Sequence, residues 1–279
     1  MNKRQIAYFS VIMVLVVIFG VSAFFVIDYF TESQEQQSQF NELADIVSSI
    51  QSQTQPTQPT VTKPTEPAPT DPLTGETVAT EPTEPVPQEM LPEYAALYER
   101  NPDIVGWLKI DGTVINYPVM QTPDSPDFYL KRNFNKEYSS RGCLYVREQC
   151  DVFTPSDNLT IYGHNMRDGS MLQPLNNYRN QEYWQKNNII TFDTLYGHHT
   201  YQIFSVFITS ASVGKGFSYH LFVDAANEAE FNEFVTTCQS LALYDTGITP
   251  KFGDKIICLS TCEYSQANGR LVVVAVRVS

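Results

Sequence analysis

The chain has 279 residues, a formal net charge of −13 and 42% hydrophobic residues. The charge is uneven: residues 31–92 hold ten acidic residues and one lysine (−9), whereas residues 93–279 hold 20 acidic and 15 basic residues (−5). A nucleic-acid interface needs a concentrated basic surface, so this balance excludes nucleic acid as a partner.

An uncharged segment of 22 residues, Ile6–Ile27, follows Lys3 and Arg4. A helix of that length covers the roughly 30 Å hydrocarbon core of a bilayer. The basic flank predicts an N-terminus inside the cell and the rest of the chain outside. We therefore expect a single-pass membrane anchor in residues 1–30. A cleaved signal peptide is the alternative, because Val21–Ala23 resembles a cleavage site, although the apolar run is longer than is usual for one.

Residues 31–88 are predicted to be a polar linker rich in Pro, Thr and Glu. Its first part, Thr31–Ile50, is expected to be weakly helical at best. Ten of the seventeen prolines of the chain lie in residues 56–92, where large apolar side chains are almost missing. Such a segment cannot bury a core, so we expect an extended, partly polyproline II spacer between membrane and domain.

Residues 89–279 have the pattern of a globular, mainly β domain. A short helix around Leu97 is expected to end before Asn101, and Asp111-Gly112 predicts a β-hairpin. A longer helix is predicted from an Asp224 N-cap to Leu241. Eight strands with few helices favour a β-barrel or sandwich. The predicted strands are Val105–Ile110, Thr113–Asn116, Cys143–Arg147, Leu159–Gly163, Ile189–Asp193, Tyr201–Thr209, Lys255–Thr261 and Leu271–Val278.

Five cysteines lie at positions 143, 150, 238, 258 and 262. An odd number in an exported protein predicts at least one free thiol. Cys258 and Cys262 lie about 13 Å apart if both are on one strand, which is too far for a disulfide or a shared zinc ion. We predict neither a metal nor a cofactor.

Cys262 ends a predicted buried strand, and Arg270 begins the next one after an Asn268-Gly269 turn. If the two strands form an antiparallel hairpin, the thiol and the guanidinium lie side by side. The guanidinium would then favour a thiolate or stabilise a developing oxyanion. The alternative is an inert core cysteine beside a solvated hairpin charge, because free cysteines are usually buried and unreactive.

His164 follows another apolar strand, directly after Gly163, and is the candidate partner for the cysteine. A cysteine nucleophile needs a histidine that is near in space rather than in sequence. His198 and His199 are predicted to lie in a solvent-facing hairpin turn, and His220 is the second choice.

These motifs resemble the sortase signature Thr-Leu-x-Thr-Cys…Arg, with Cys258 where the signature usually has Thr. The segment Tyr162–Met166 resembles the residues around the sortase histidine. The similarity covers residues from about 90 to 279. Three upstream segments resemble the class B sortases specifically: Asn101–Leu108, Ile115–Gln121 and Tyr129–Phe134.

The resemblance implies an eight-stranded sortase-like β-barrel with a few short helices and one longer helix, preceded by the membrane helix and the linker. It also implies a thiol transpeptidase. Cys262 would attack a Thr–Gly or Thr–Asn bond of a sorting signal and form a thioester. His164 would protonate the leaving amine and later deprotonate an incoming one, and Arg270 would hold the substrate and the oxyanion.

Further residues and partners come from the same resemblance. The implied partners are surface proteins that bear a sorting signal and an amine acceptor, either a peptidoglycan precursor or a pilin. The segment Thr209–His220 would wall the substrate groove. In the linker, Pro72–Gly75 has the Pro-x-Thr-Gly form that some sortases read, which makes a tethered pseudo-substrate a further hypothesis. The groove residues implied by the class B pattern are Asn116, Met120, Tyr162, Ser260 and Glu263.

Two other functions fit parts of the sequence. The first is a hydrolytic surface cysteine peptidase of another fold, although papain-like enzymes place Cys before His and at a helix start. The second is a non-enzymatic adhesin domain on a stalk, which the anchor and linker fit equally well. Only the set of Cys262, His164 and Arg270 argues against the adhesin.

Overall fold

Eight strands in residues 104–277 close into a β-barrel in a computed structural model that describes residues 3–54, 89–212 and 214–279. The order around the barrel is β1-β2-β3-β4-β7-β8-β6-β5, and β5 pairs back with β1. The predicted eight-stranded fold is therefore confirmed. The strands are Ile104–Lys109 (β1), Asn116–Met120 (β2), Leu144–Val146 (β3), Asn158–Tyr162 (β4), Ile189–Thr194 (β5), Thr200–Ser210 (β6), Ile256–Glu263 (β7) and Gly269–Arg277 (β8).

Helices connect and flank the strands. The α-helices are Lys3–Thr54 (α1), Pro92–Arg100 (α2), Gln181–Lys186 (α3) and Glu228–Leu241 (α4), with 3-10 turns at Phe128–Lys131, Gln173–Arg179 and Tyr219–Leu221. The β1–β2 hairpin forms around Asp111-Gly112 as expected, and Gly112 has a φ of 75°, which favours glycine. Its second strand starts at Asn116, three residues later than predicted, so the connection is a longer loop.

Buried apolar side chains form two clusters, one inside the barrel and one outside it, because side chains alternate between the two faces of each strand. On β7, Ile257 and Leu259 face the barrel interior, whereas Ile256 and Cys258 belong to a second apolar cluster under α4. Because side chains alternate across a strand, one face of β7 fills the barrel and the other lies outside it. On this outer face the second cluster includes Ile256 and Cys258 but not Cys262, which lies nearer the C-terminal end of β7.

The start of α4 differs from the prediction. Asn227, not Asp224, is the N-cap, and its side chain accepts a hydrogen bond from the backbone N–H of Glu230. Asp224 instead accepts hydrogen bonds from Ser156 and from the backbone N–H of Asp157. Both residues are good caps by composition. A tertiary contact decides which of them starts the helix.

The first half of α1 is long and apolar enough to cross a membrane, the one such helix among the described residues. Its apolar side chains between Tyr8 and Phe30 are mostly exposed; Phe19, for example, is 75% exposed. Apolar side chains that are mostly exposed over this length are typical of a helix that faces lipid.

The second half of α1 is where the prediction is wrong. Residues 31–54 are not weakly helical but form a continuation of α1, which lies against the barrel. Phe40, Leu43 and Val47 are buried, and the Phe40 ring packs on Tyr117 of β2 at a centroid distance of 4.9 Å. Burying each such side chain contributes about 1.5–3 kcal/mol, so packing stabilises a helix that its polar composition would leave marginal.

The division into an anchor (1–30), a linker (31–88) and a catalytic domain (89–279) stays a prediction. The polyproline II spacer and the Pro72–Gly75 motif lie outside the described residues.

Candidate active site

The candidate catalytic residues lie at one end of three neighbouring strands. β4 and β7 are parallel, and their last pair is Tyr162 with Ser260. His164 lies two residues after Tyr162, and Cys262 lies two residues after Ser260. β7 and β8 are antiparallel, and Cys262 is the direct partner of Arg270. Because neighbouring strands lie about 4.8 Å apart, the register places the three residues at adjacent strand ends, and the predicted pairing of Cys262 with Arg270 is confirmed.

These three residues also share a face. Cys262 is four residues after Cys258, which belongs to the cluster outside the barrel. On β8, Val272 belongs to that outer cluster while Leu271 belongs to the interior, so Arg270 continues the outer face. On β4, Ile161 belongs to the interior cluster, and alternation gives Tyr162 the opposite face, although its partly buried ring still packs against that cluster. The period of two therefore places the thiol and the guanidinium on the outer wall of the barrel, and the same alternation continued for two residues beyond Tyr162 favours that side for His164.

Hydrogen bonds fix the backbone on either side of the site. The N–H of Gly163 donates to the carbonyl of Ser260 at 3.2 Å, and the Thr261 hydroxyl donates to the carbonyl of Gly163 at 2.8 Å. The Asn165 side-chain amide donates to the carbonyl of Cys262 at 2.7 Å. The two chain segments that carry His164 and Cys262 are thus joined beyond the last strand pair.

The His164 ring has a defined orientation. Its Nε2 lies 2.8 Å from the carbonyl oxygen of Leu130, in the 3-10 turn Phe128–Lys131. A carbonyl only accepts hydrogen bonds, so Nε2 carries the proton in this contact. In the neutral ring Nδ1 is then the basic nitrogen, the atom left to exchange a proton with a reacting group.

The remaining histidines have other surroundings. His198 is exposed, and its Nδ1 lies 2.8 Å from the Asp193 carboxylate, whereas His199 is half-buried. The prediction that both histidines face solvent is therefore confirmed for His198 only. Burial and the charges of Arg147 and Arg270 lower the pKa of His220. The His220 ring packs edge-on against Tyr219, whose hydroxyl contacts that of Ser260.

Arg270 lies between the outer face of the barrel and the segment that follows β6. Its Nη1 donates to the carbonyl of Gly269 at 2.9 Å, and Thr209 is its partner on β6. Burial raises the pKa values of Tyr145 and Tyr219, and the Arg270 charge partly opposes this.

Cys262 differs from the other four cysteines. All five are free, but Cys262 alone is partly exposed, and the other four are buried. Burial raises the thiol pKa values of Cys143, Cys150, Cys238 and Cys258. A buried thiol with a raised pKa supplies little thiolate, and the thiolate is the reactive form.

We expect one fast-reacting thiol in the native protein at pH 7.5 and five in denaturant, measured by titration with a chromogenic disulfide. Peptide mapping should place the fast label on Cys262. Fewer than five thiols after denaturation would reveal a disulfide, and a fast label elsewhere would contradict the burial of that cysteine.

Three of the predicted groove residues share a row on the outer face. Met120 is in register with Tyr145, Tyr145 with Tyr162, and Tyr162 with Ser260. Tyr162 is partly exposed, and burial raises its pKa to about 12. Ser260 is buried with its hydroxyl 2.5 Å from the Tyr219 hydroxyl, and Met120 is fully buried. Tyr162 alone of the three presents surface to a substrate.

The other two groove residues lie elsewhere. Asn116 accepts a hydrogen bond from the Trp107 indole at 2.7 Å and borders a cavity of about 300 Å³ between α1 and the barrel. Glu263 belongs to the interior-facing series of β7 and is buried against Arg179, 2.5 Å away. Burial opposes its ionisation, but hydrogen bonds from Ser265 and Arg179 outweigh this and lower its pKa. Asn116 lies at the other end of β2 from Met120, and Glu263, although next to Cys262 in the chain, directs its carboxylate to Arg179.

The structure adds residues that the sequence did not single out. Asn165 bonds to the Cys262 carbonyl, Tyr219 bonds to Ser260, and the Leu130 carbonyl orients His164. Asn165 was visible as the polar residue after His164. A backbone carbonyl has no sequence signal. No group of three metal-ligating side chains is placed to hold an ion in the described part of the chain.

Comparison with known proteins agrees with this geometry. Residues 108–278 match the model of the sortase domain family. The chain is 31% identical over 190 residues to sortase B of Staphylococcus aureus, covering 67% of this chain and 75% of that protein.

Solved structures give the same result. A Staphylococcus aureus sortase B–substrate complex superposes with a TM-score of 0.71 at 25% identity, covering 89% of this chain and 99% of that one. Sortase B of Bacillus anthracis in complex with AAEK1 superposes with a TM-score of 0.66 at 29% identity, covering 90% and 99%. The chain therefore belongs to the class B sortases, a family of cysteine transpeptidases.

Proposed function

We propose that this sortase cleaves a C-terminal sorting signal at a Thr–Gly or Thr–Asn bond and transfers the protein to a cell-wall amine. Cys262 is the nucleophile, His164 the acid and base, and Arg270 the oxyanion and substrate ligand. The observation that carries the proposal is the shared outer face at the ends of β4, β7 and β8. It supports these roles because the strand register brings the three residues to neighbouring strand ends and Cys262 is the partly exposed thiol.

The reaction proceeds in two balanced steps from a Cys262 thiolate and a His164 imidazolium. The thiolate attacks the threonine carbonyl carbon, and Arg270 stabilises the oxyanion. The C–N bond breaks, the leaving amine takes the imidazolium proton, and a thioester remains. An incoming amine then attacks the thioester and gives its proton to Nδ1 of His164, and the thiolate leaves.

The partners and the location follow from this chemistry. The donors are surface proteins with a sorting signal, and the acceptor amine belongs to a peptidoglycan precursor or a pilin. The apolar half of α1 supports a cell-membrane location as a single-pass protein. The flanking Lys3 and Arg4 favour an inside N-terminus and an extracellular catalytic domain.

The test uses the full chain in detergent micelles and a library of sorting-signal peptides. Mass spectrometry should find one acyl adduct on Cys262 whose mass ends at the threonine of the donor peptide. Adding an amine acceptor should convert the adduct into a ligated product.

The outcome also separates transfer from hydrolysis. A surface peptidase would release the free acid at the same rate with or without the amine. The non-enzymatic adhesin interpretation does not hold, because the family is one of enzymes. An adduct on a different cysteine, or none with any peptide, would contradict the proposed function.

Arg270→Lys should lower kcat/KM by about 10²-fold or more. The loss of one oxyanion donor costs roughly that much, and an ammonium cannot reproduce the paired hydrogen bonds of a planar guanidinium. Steady-state transfer kinetics on the best library peptide measure the effect. Arg277→Lys, at the other end of β8, is the matched control and should stay near the parent value. Near-full activity of Arg270→Lys would show that net charge alone is needed.

A further inference from the structure

Residues 29–36 of α1, which follow its apolar half, contact the loop after His164. Asp168 lies four residues after His164, in a loop closed by the Asn165–Met171 bridge and by a 2.9 Å hydrogen bond from the Leu172 N–H to the His164 carbonyl. Ser33 of α1 donates to the Asp168 carboxylate at 2.7 Å. The membrane-proximal helix thus holds the loop that follows His164.

A buried arginine reinforces this contact. Arg141 has a side chain only 2% exposed, and its guanidinium forms an ion pair with Asp168. It also donates to the Ser170 hydroxyl at 2.9 Å and stacks over the Tyr29 ring of α1 at 4.8 Å. Burial opposes the ionisation of Asp168, but hydrogen bonds from Ser33 and Ser170 and the Arg141 charge lower its pKa to about 2. The pair is therefore ionised at neutral pH.

A second contact of α1 is made with residues 139–142. Glu32 accepts hydrogen bonds from the Ser140 N–H at 2.6 Å and the Ser140 hydroxyl at 2.8 Å. Gln36 accepts from the Ser139 hydroxyl and donates to the Gly142 carbonyl, both at 2.5 Å. Two of these bonds hold backbone groups, the Ser140 N–H and the Gly142 carbonyl, and both residues are neighbours of Arg141 in the chain. The helix α1 therefore fixes the backbone path of residues 139–142.

Residues 139–143 in turn hold the 3-10 turn that orients His164. The Ser139 N–H donates to the Lys131 carbonyl at 3.1 Å, and the Cys143 N–H donates to the Tyr129 carbonyl at 3.0 Å. The carbonyl between these two, that of Leu130, is the acceptor for His164. Gly142 has a φ of 60°, and a Cβ there would lie 2.5 Å from the Leu130 oxygen, so the segment is in direct contact with that acceptor.

We propose that the juxtamembrane segment of α1, Tyr29–Gln36, is a positioning element for His164, which acts through residues 139–142 and through Asp168. It keeps the Leu130 carbonyl on Nε2 and so keeps Nδ1 as the nitrogen that exchanges protons. The consequence is that catalytic competence depends on a helix continuous with the membrane anchor. This inference rests on the proposed role of His164.

The test compares two sets of substitutions in the same helix of the full chain in micelles. Glu32→Ala with Gln36→Ala removes the contacts to residues 139–142. Glu42→Ala removes a surface ion pair between α1 and Arg100, with a distance of 2.9 Å, and is the matched control. If the double variant unfolds, Ser33→Ala alone removes the bond to Asp168 at an exposed site.

Two readouts distinguish positioning from stability. We expect kcat of the double variant to fall about tenfold or more with KM within twofold, because positioning hydrogen bonds act on turnover rather than on substrate binding. We also expect the ¹⁵N shifts of the His164 ring, recorded at a pH at which the ring is neutral, to move from one tautomer toward a mixture. Glu42→Ala should change neither readout.

The two proposals fail in different ways. The ¹⁵N measurement needs no substrate, so it tests positioning even if the parent chain forms no acyl-enzyme. An unchanged His164 tautomer in the double variant, or equal kcat values for the double and the control variants, would overturn the positioning role. Failure of the parent to acylate would instead overturn the proposed function.

Discussion

Cys262→Ala should abolish the acyl-enzyme and the transfer product while leaving the fold intact. Removal of a covalent nucleophile lowers turnover by up to about 10⁶-fold, which is below detection for an enzyme of ordinary rate. The side chain lies at a strand end and is partly exposed, so its loss costs within about 0.5 kcal/mol of unfolding free energy. Mass spectrometry of the peptide reaction measures the first effect, and thermal unfolding measures the second.

Cys258→Ala is the matched control because it lies on the same strand, the same face and four residues earlier. Its side chain is fully buried under α4, so we expect a loss of about 1 kcal/mol in stability with little change in acylation. Acyl-enzyme from Cys262→Ala would show that another group is the nucleophile. If the Cys258→Ala variant folds but forms no acyl-enzyme, the loss of activity in Cys262→Ala could not be assigned to the Cys262 thiol in particular.

The strands and the three reactive residues were accessible to sequence reasoning for a physical reason. Apolar runs with a period of two predict strands, and a polar residue after such a run lies at the end of a sheet. The Asn268-Gly269 turn further predicted that Cys262 and Arg270 are partners. That prediction depends on local geometry alone, and the register confirms it.

Other features depend on tertiary contacts that leave no local pattern. The partner of His164 is a backbone carbonyl, and every residue has one. Residues 31–54 carry Phe40, Leu43 and Val47 at helical spacing, but among Gln, Ser and Glu this stripe is too sparse to predict burial. The helix is stable there because Tyr117 and the barrel cover it. Glu263 is a further example. Its ion pair with Arg179 could not be predicted, because the two residues are 84 positions apart in the sequence.

His164→Ala should lower kcat by about 10²–10⁴-fold, the usual loss when a general acid and base is removed. Both steps need the imidazole: the leaving amine needs a proton, and the incoming amine must lose one. Steady-state transfer assays on the best library peptide measure the effect.

His198→Ala is the control for this substitution, since it removes an exposed imidazole that contacts Asp193 rather than the strand ends. We expect its kcat to match that of the parent. His164→Asn adds a second comparison, because an amide can still donate a hydrogen bond toward Leu130 but cannot exchange a proton at neutral pH. If His164→Asn keeps near-parent turnover, orientation of the loop is the whole role of His164. His220, the second choice from the sequence, would then be the next residue to test as the proton carrier.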